Sequence, residues 1–136
     1  MDNARSAALS ALLHVDVNEG YSNIVLDKTL SQFSLDQRDK ALVSAIFYGV
    51  LERRITLDYV IGQFSKTPVQ KMSAPVLEIL RMGAYQILYL EKIPQSAAVN
   101  ESVNLAKESQ SVKASGFINA VLRSLLRNID HIQMPD

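Results

Sequence analysis

Residues 73–90 read SAPVLEILRMGAYQILYL, and their spacing decides what kind of protein this is. Ser73 can cap a helix, and Pro75 in the first turn wastes no intrahelical donor. Leu77, Leu80, Ala84, Ile87 and Leu88 recur at three and four, so they share one face of a helix running to about Leu90. Gly83 in its middle costs about 1 kcal/mol of helix propensity, which predicts a close helix crossing as the compensation. No period-two run rich in β-branched residues competes with helix anywhere in the chain.

The same period extends in both directions. Toward the amino terminus, Ala8, Leu9, Leu12, Leu13 and Val15 mark a first helix over 4–17, with Gly20 after it as a left-handed stop. Ser22 is the expected cap of a short second helix in which Leu26, Leu30 and Phe33 share a face. Ser34-Leu35-Asp36-Gln37 matches a capping box for a third, whose stripe runs through Val43, Phe47 and Val50. After a bend near Arg54 it resumes with Leu57, Val60, Ile61 and Phe64, and residues 66–71 around Pro68 read as a connector. Toward the carboxyl terminus, Ile93-Pro94 interrupts, and a helix from Ser96 carries Val99, Val103 and Ala106. The last helix, about 113–128, has apolar pairs at Phe117/Ile118, Val121/Leu122 and Leu125/Leu126. That stripe is wider than one packing surface needs, which predicts a central place for this helix. The pattern defines an all-α, compact orthogonal bundle of about seven helices.

With 136 residues, 48% hydrophobic and 21% charged, the chain makes one domain with room for a core. It has no cysteine, which removes disulfides, thiolate metal sites and cysteine nucleophiles and fits a reducing cytoplasm. The longest uncharged apolar stretch, Met82 to Leu90, is too short to span a bilayer, so no membrane partner is expected. His14 and His131 lack further ligands at helical or turn spacing, so no metal site is expected. Asp58, Glu78, Glu91, Glu101 and Glu108 have no spacing that demands acid–base work, and no catalytic residue is expected.

Charge is balanced overall, fourteen basic against fourteen acidic groups, but unevenly placed. Residues 1–52 hold four basic and seven acidic groups, a net −3. Residues 53–127 hold ten and five, a net +5. The second portion is a candidate electrostatic footprint for phosphates, and within it Arg53, Arg54, Lys66, Lys71 and Arg81 outnumber Asp58 and Glu78 around the connector. A solvated polar face accounts for the same residues. Asn100 and Asn119 lie inside apolar helices and read as structural amides, in an interhelical hydrogen bond or the core. Tyr48, Tyr85 and Tyr89 read as core edges before base-stacking platforms.

Three strings carry a family resemblance: Leu80-Arg81-Met82-Gly83-Ala84-Tyr85-Gln86-Ile87-Leu88; Ile93-Pro94 with Ala97-Ala98-Val99-Asn100-Glu101; and Gly116-Phe117-Ile118-Asn119-Ala120-Val121-Leu122-Arg123. Supported by Arg38-Asp39-Lys40-Ala41-Leu42 and Tyr48-Gly49-Val50-Leu51, the chain resembles the NusB family of all-helical RNA-binding proteins over residues 4–129. Within it, Gln86 and the Asn100-Glu101 and Asn119–Arg123 runs resemble the amino-terminal domain of ribosomal RNA small-subunit cytosine-C5 methyltransferases more than free-standing antitermination factors. Glu52 stands where many members carry Arg, and Arg5 replaces the richer amino-terminal Arg cluster of free-standing members.

The resemblance implies an RNA-binding accessory domain over 1–129, with 130–136 beginning a linker to a missing catalytic domain. That domain would use S-adenosylmethionine and cysteines, none of which this chain has. Expected phosphate contacts are Arg5, Arg53, Arg54, Lys66 and Lys71, with Lys107, Lys113 and Arg123 as secondary candidates. Expected partners are small-subunit rRNA and the protein's own methyltransferase domain, with a homodimer also open. The alternatives are a protein-docking module and a free-standing antitermination factor.

Overall fold

The structure, a computed structural model, describes residues 3–15 and 20–135. Among them are seven α-helices: α1 (Asn3–His14), α2 (Ser22–Gln32), α3 (Gln37–Glu52), α4 (Arg54–Phe64), α5 (Ala74–Tyr89), α6 (Gln95–Ser109) and α7 (Val112–Arg127). Short 3-10 turns at Val69–Lys71 and Ile129–His131 complete the described elements, and no strand is among them. Asp16 and Val17, expected at the end of the first helix, lie outside the described residues. Gly20 takes φ +76°, the left-handed conformation expected of it.

The centre of the bundle is α5. From Glu78 to Ile87 every residue is buried, because α1, α3, α4, α6 and α7 surround it. A helix apolar on most sides satisfies all of them at once. This corrects the expectation for α7: its wide stripe fills the angle between α4, α5 and α6, but Gly116, Ala120 and Arg123 face outward. Leu13 also departs from its predicted role, being exposed while Ala4, Ala7, Ala8 and Ala11 bring α1 close against the core.

Gly83 marks the crossing predicted from its cost. A Cβ there would lie 2.7 Å from Leu122 Cδ1 and 2.8 Å from Ser102 Oγ, so α6 and α7 both pass at backbone distance. Gly49 does the same for α3, since a Cβ would fall inside the Tyr85 ring.

The helix ends follow local chemistry. Ser73 Oγ accepts from the Val76 amide and Ser111 Oγ from the Ala114 amide, at 3.5 and 3.0 Å. The third helix is capped by Asp36, whose Oδ1 accepts from the Asp39 amide at 2.8 Å, rather than by Ser34. Tyr21, with no side-chain cap bond, precedes α2, so Ser22 is its first residue rather than its cap. The bend near Arg54 is a true break at Arg53, which ends α3 and starts α4 with φ −119° and ψ 22°. Beyond α7 the tail folds back: Gln63 Nε2 donates to the Gln133 carbonyl at 2.6 Å and Gln63 Oε1 accepts from the Gln133 amide at 3.1 Å. The stretch expected to begin a linker therefore stays on α4 as far as Gln133.

Candidate nucleic-acid interface

Helix α7 carries three cations and no carboxylate. Lys113, Gly116, Ala120, Arg123 and Arg127 are all exposed, and their offsets of three and four set them in one outer stripe. The small residues in its middle keep the surface low, so a phosphate backbone can approach between the cationic ends. Arg123 is oriented from two sides: its Nε donates to Asn119 Oδ1 at 3.2 Å and its Nη2 to Asn100 Oδ1 at 3.3 Å. Asn100 is exposed and Asn119 half-buried, so neither is a core amide; they hold a surface guanidinium across the α6–α7 seam. Lys107 is exposed in the last turn of α6. Arg127 was not singled out from sequence, although its spacing from Arg123 and Lys113 carries the signal.

The group around the connector does not converge. Lys66 and Lys71 are exposed, but the eleven residues of α4 put roughly 16 Å between them and Arg53–Arg54. Arg53 lies with its guanidinium 4.5 Å above the Tyr89 ring and 5.9 Å from the Tyr85 ring, with Glu52 at 3.5 Å. Arg54 is half-buried and its charge acts on Glu78.

Two arginines are drawn inside. Arg81 is buried, with Nε and Nη2 each donating to Asp58 at 2.7 Å, a two-point bond from α5 to α4. Its Nη1 lies 3.2 Å from Glu78 Oε1, close enough for an ion pair but not aligned as a hydrogen bond. Burial raises the Glu78 pKa above its ordinary value, and the nearby Arg81 charge only partly opposes this. Burial works against the Arg81 charge as well, yet the hydrogen bonds to Asp58 and the field of both carboxylates outweigh it and raise its pKa. Asp58 thus ties α4 to α5 through Arg81, while Glu78 pairs with Arg81 within α5.

Arg5, expected among the phosphate contacts, lies largely inside the bundle. It is 9% exposed, and its Nε donates to Gln86 Oε1 at 2.9 Å while Gln86 Nε2 donates to the Met82 carbonyl. The Arg5–Gln86 bond joins α1 to α5.

An all-helical bundle with a basic, acid-free outer helix is the class of protein these features define. The NusB family model matches residues 2–127, and the chain belongs to the NusB family. It is 38% identical over 123 residues to the Probable ribosomal RNA small subunit methyltransferase B of Bacillus subtilis (strain 168), covering 90% of this chain and 27% of that protein. The chain thus spans about a quarter of the length of that relative. It is 30% identical over 128 residues to the Transcription antitermination protein NusB of Bacillus velezensis (strain DSM 23117 / BGSC 10A6 / LMG 26770 / FZB42), covering 93% of this chain and 95% of that one. Among solved structures, the antitermination factors NusB and NusE in complex with dsRNA superpose with a TM-score of 0.82 at 16% identity, over 93% of this chain and 95% of that one.

S-adenosylmethionine, implied by the methyltransferase resemblance, does not fit the residues present. Gly49, Gly62, Gly83 and Gly116 all lie within helices, and the described residues offer no glycine-rich strand-to-helix turn to receive it. Nor do they hold a group of three His, Asp or Glu able to bind a metal ion or a helix long and apolar enough to cross a membrane.

Proposed function

We propose that this chain is an RNA-binding domain that brings small-subunit rRNA to an S-adenosylmethionine-dependent cytosine-C5 methyltransferase of which it forms part, in the cytoplasm. The observation that carries RNA binding is the outer stripe of α7, three exposed cations without a carboxylate on the same helix. The methyltransferase context is supported by the 38% identity to a protein of which this chain covers 27%. Residues 1–129 form the domain, and 130–136 begin the path toward the catalytic part, with Gln63 holding its first stretch. The phosphate contacts are Lys113, Arg123 and Arg127, with Lys107 beside them; Arg53, Lys66 and Lys71 lie outside that stripe.

Binding of small-subunit rRNA measured from 50 to 300 mM salt tests this. Affinity falls steeply with salt as counterions are released. Replacing Lys113→Glu and Arg123→Glu together makes the log–log slope shallower by about 1.4 to 1.8, the share of two phosphates. Salt-independent affinity, or none at low salt, defeats the reading.

A second reading adds a protein partner. Ile55 is 83% and Tyr59 49% exposed, one turn apart on the outer face of α4, and the exposed Met134 follows the clamp at Gln63. Ile55→Glu with Tyr59→Ser weakens docking to the methyltransferase domain and leaves RNA affinity unchanged. Reading the gene past codon 136 for a βαβ pattern and a cysteine-bearing motif separates this domain from a free-standing antitermination factor.

A further inference from the structure

Away from the α7 stripe, a groove of about 360 Å³ opens between α3 and the end of α5. Leu42 and Ala45 form one side, and Leu90, Ile93 and the Tyr89 ring form the other. That volume is on the scale of a small-molecule site rather than of a trough for a helix. Tyr89 is shared: the ring that walls the groove also carries the Arg53 guanidinium, 4.5 Å from its centroid. The side chain of Arg53 remains 39% exposed, so its outer face is open. Tyr85 backs the pair, its ring 5.4 Å from that of Tyr89. Exposed Lys92 and Glu91 border the groove at its other end.

We propose that this groove holds one unpaired nucleobase of a single-stranded RNA; the proposal rests on the reading of the chain as RNA-binding. An apolar groove bordered by a tyrosine suits a base, since every base has a π-face to stack. A guanidinium plane is the other surface on which splayed-out bases stack, and here it is continuous with the aromatic one. Arg53, over the Tyr89 ring and beside Glu52, and Lys92, on the groove's edge, supply the positive charge that the flanking phosphates of a bound strand would meet. Glu91 can accept a hydrogen bond from an exocyclic amine or a ribose hydroxyl. A paired base cannot enter, so the groove separates single strands from duplex, whereas the α7 stripe meets phosphates of either.

Ala45 supplies the test, because it is an exposed helix position whose enlargement fills the groove without altering charge. Fluorescence anisotropy at 50 mM salt would use a labelled single-stranded r(CU)6 dodecamer and a fully paired RNA hairpin. Wild type binds both. Ala45→Trp binds the dodecamer roughly tenfold more weakly, the worth of about one stacked base, and binds the hairpin as before. An unchanged dodecamer affinity, or an equal loss on both RNAs in a folded variant, overturns the proposal. A photo-cross-link on the wild-type chain covers the case in which the variant fails to fold. A dodecamer with one 5-iodouridine is expected to attach to the peptide containing Tyr89, and cross-links confined to α7 peptides overturn the proposal. If wild type binds neither RNA, the RNA-binding reading has failed and this inference with it. If wild type binds and Ala45→Trp behaves like it, this inference alone has failed.

Discussion

Arg81 carries its charge into the bundle because two carboxylates meet it there, and the arrangement has a pH signature. Glu78 ionises at its ordinary 4.5 when the chain is unfolded and at a higher pH when folded, since burial disfavours its charge. Its contribution to stability is therefore full below 4.5 and is lost as pH rises through the folded value. Urea denaturation of wild type and Glu78→Gln from pH 4 to 7 should show wild type losing stability relative to the variant across that window. Arg81→Met should cost about 3–5 kcal/mol, as it leaves Asp58 and Glu78 without their buried partner. Arg5→Ala should cost about 1–3 kcal/mol through the stranded Gln86 amide, and leave RNA affinity almost unchanged. Sequence counted Arg5 and Arg81 with the basic residues, correctly, but whether a guanidinium meets solvent or a carboxylate is a matter of what packs opposite it.

At the scale of elements, the crossings at Gly83 and Gly49 set how closely α5 can lie against α3, α6 and α7. Gly83→Ala places a methyl against Leu122 and Ser102, so the helix-propensity gain of about 1 kcal/mol should be outweighed by about 1–3 kcal/mol of overpacking. Thermal or urea unfolding measures the sign, and a stabilised Gly83→Ala would contradict the crossing. All seven helices were legible in the chain because each buries an apolar stripe at period 3.6, and Ser73 stands at its own helix start. The cap of α3 moved from Ser34 to Asp36 because both residues offer an oxygen to the third amide onward, and only the chain's entry path chooses between them. Periodicity also misjudged the central helix: a wide stripe on α7 and an all-round apolar α5 look alike until the number of neighbours is known.

For the whole molecule, zero net charge hides an outer helix able to attract phosphates, with Lys113, Arg123 and Arg127 on an α7 that has no carboxylate and the acidic excess in residues 1–52. Binding should thus be salt-sensitive although the protein is neutral, a contrast that a plot of affinity against salt displays directly. The family was legible in its strings, one of which coincides with the crossing at Gly83, where few side chains fit. Much of the interface was not: Lys66 and Lys71 are near Arg53 in sequence yet an α4 length away, whereas Asn100, Asn119 and Arg123 come from two helices to one place. The order of residues alone determined the helical period, the helix start at Ser73, the lack of thiol chemistry and the family. Tertiary structure alone decided which cations reach water, that Tyr89 both walls a groove and carries Arg53, and that Gln63 holds the tail. Periodicity depends on neighbours along one helix, whereas exposure depends on which helix lies opposite, and that is decided only when the bundle closes.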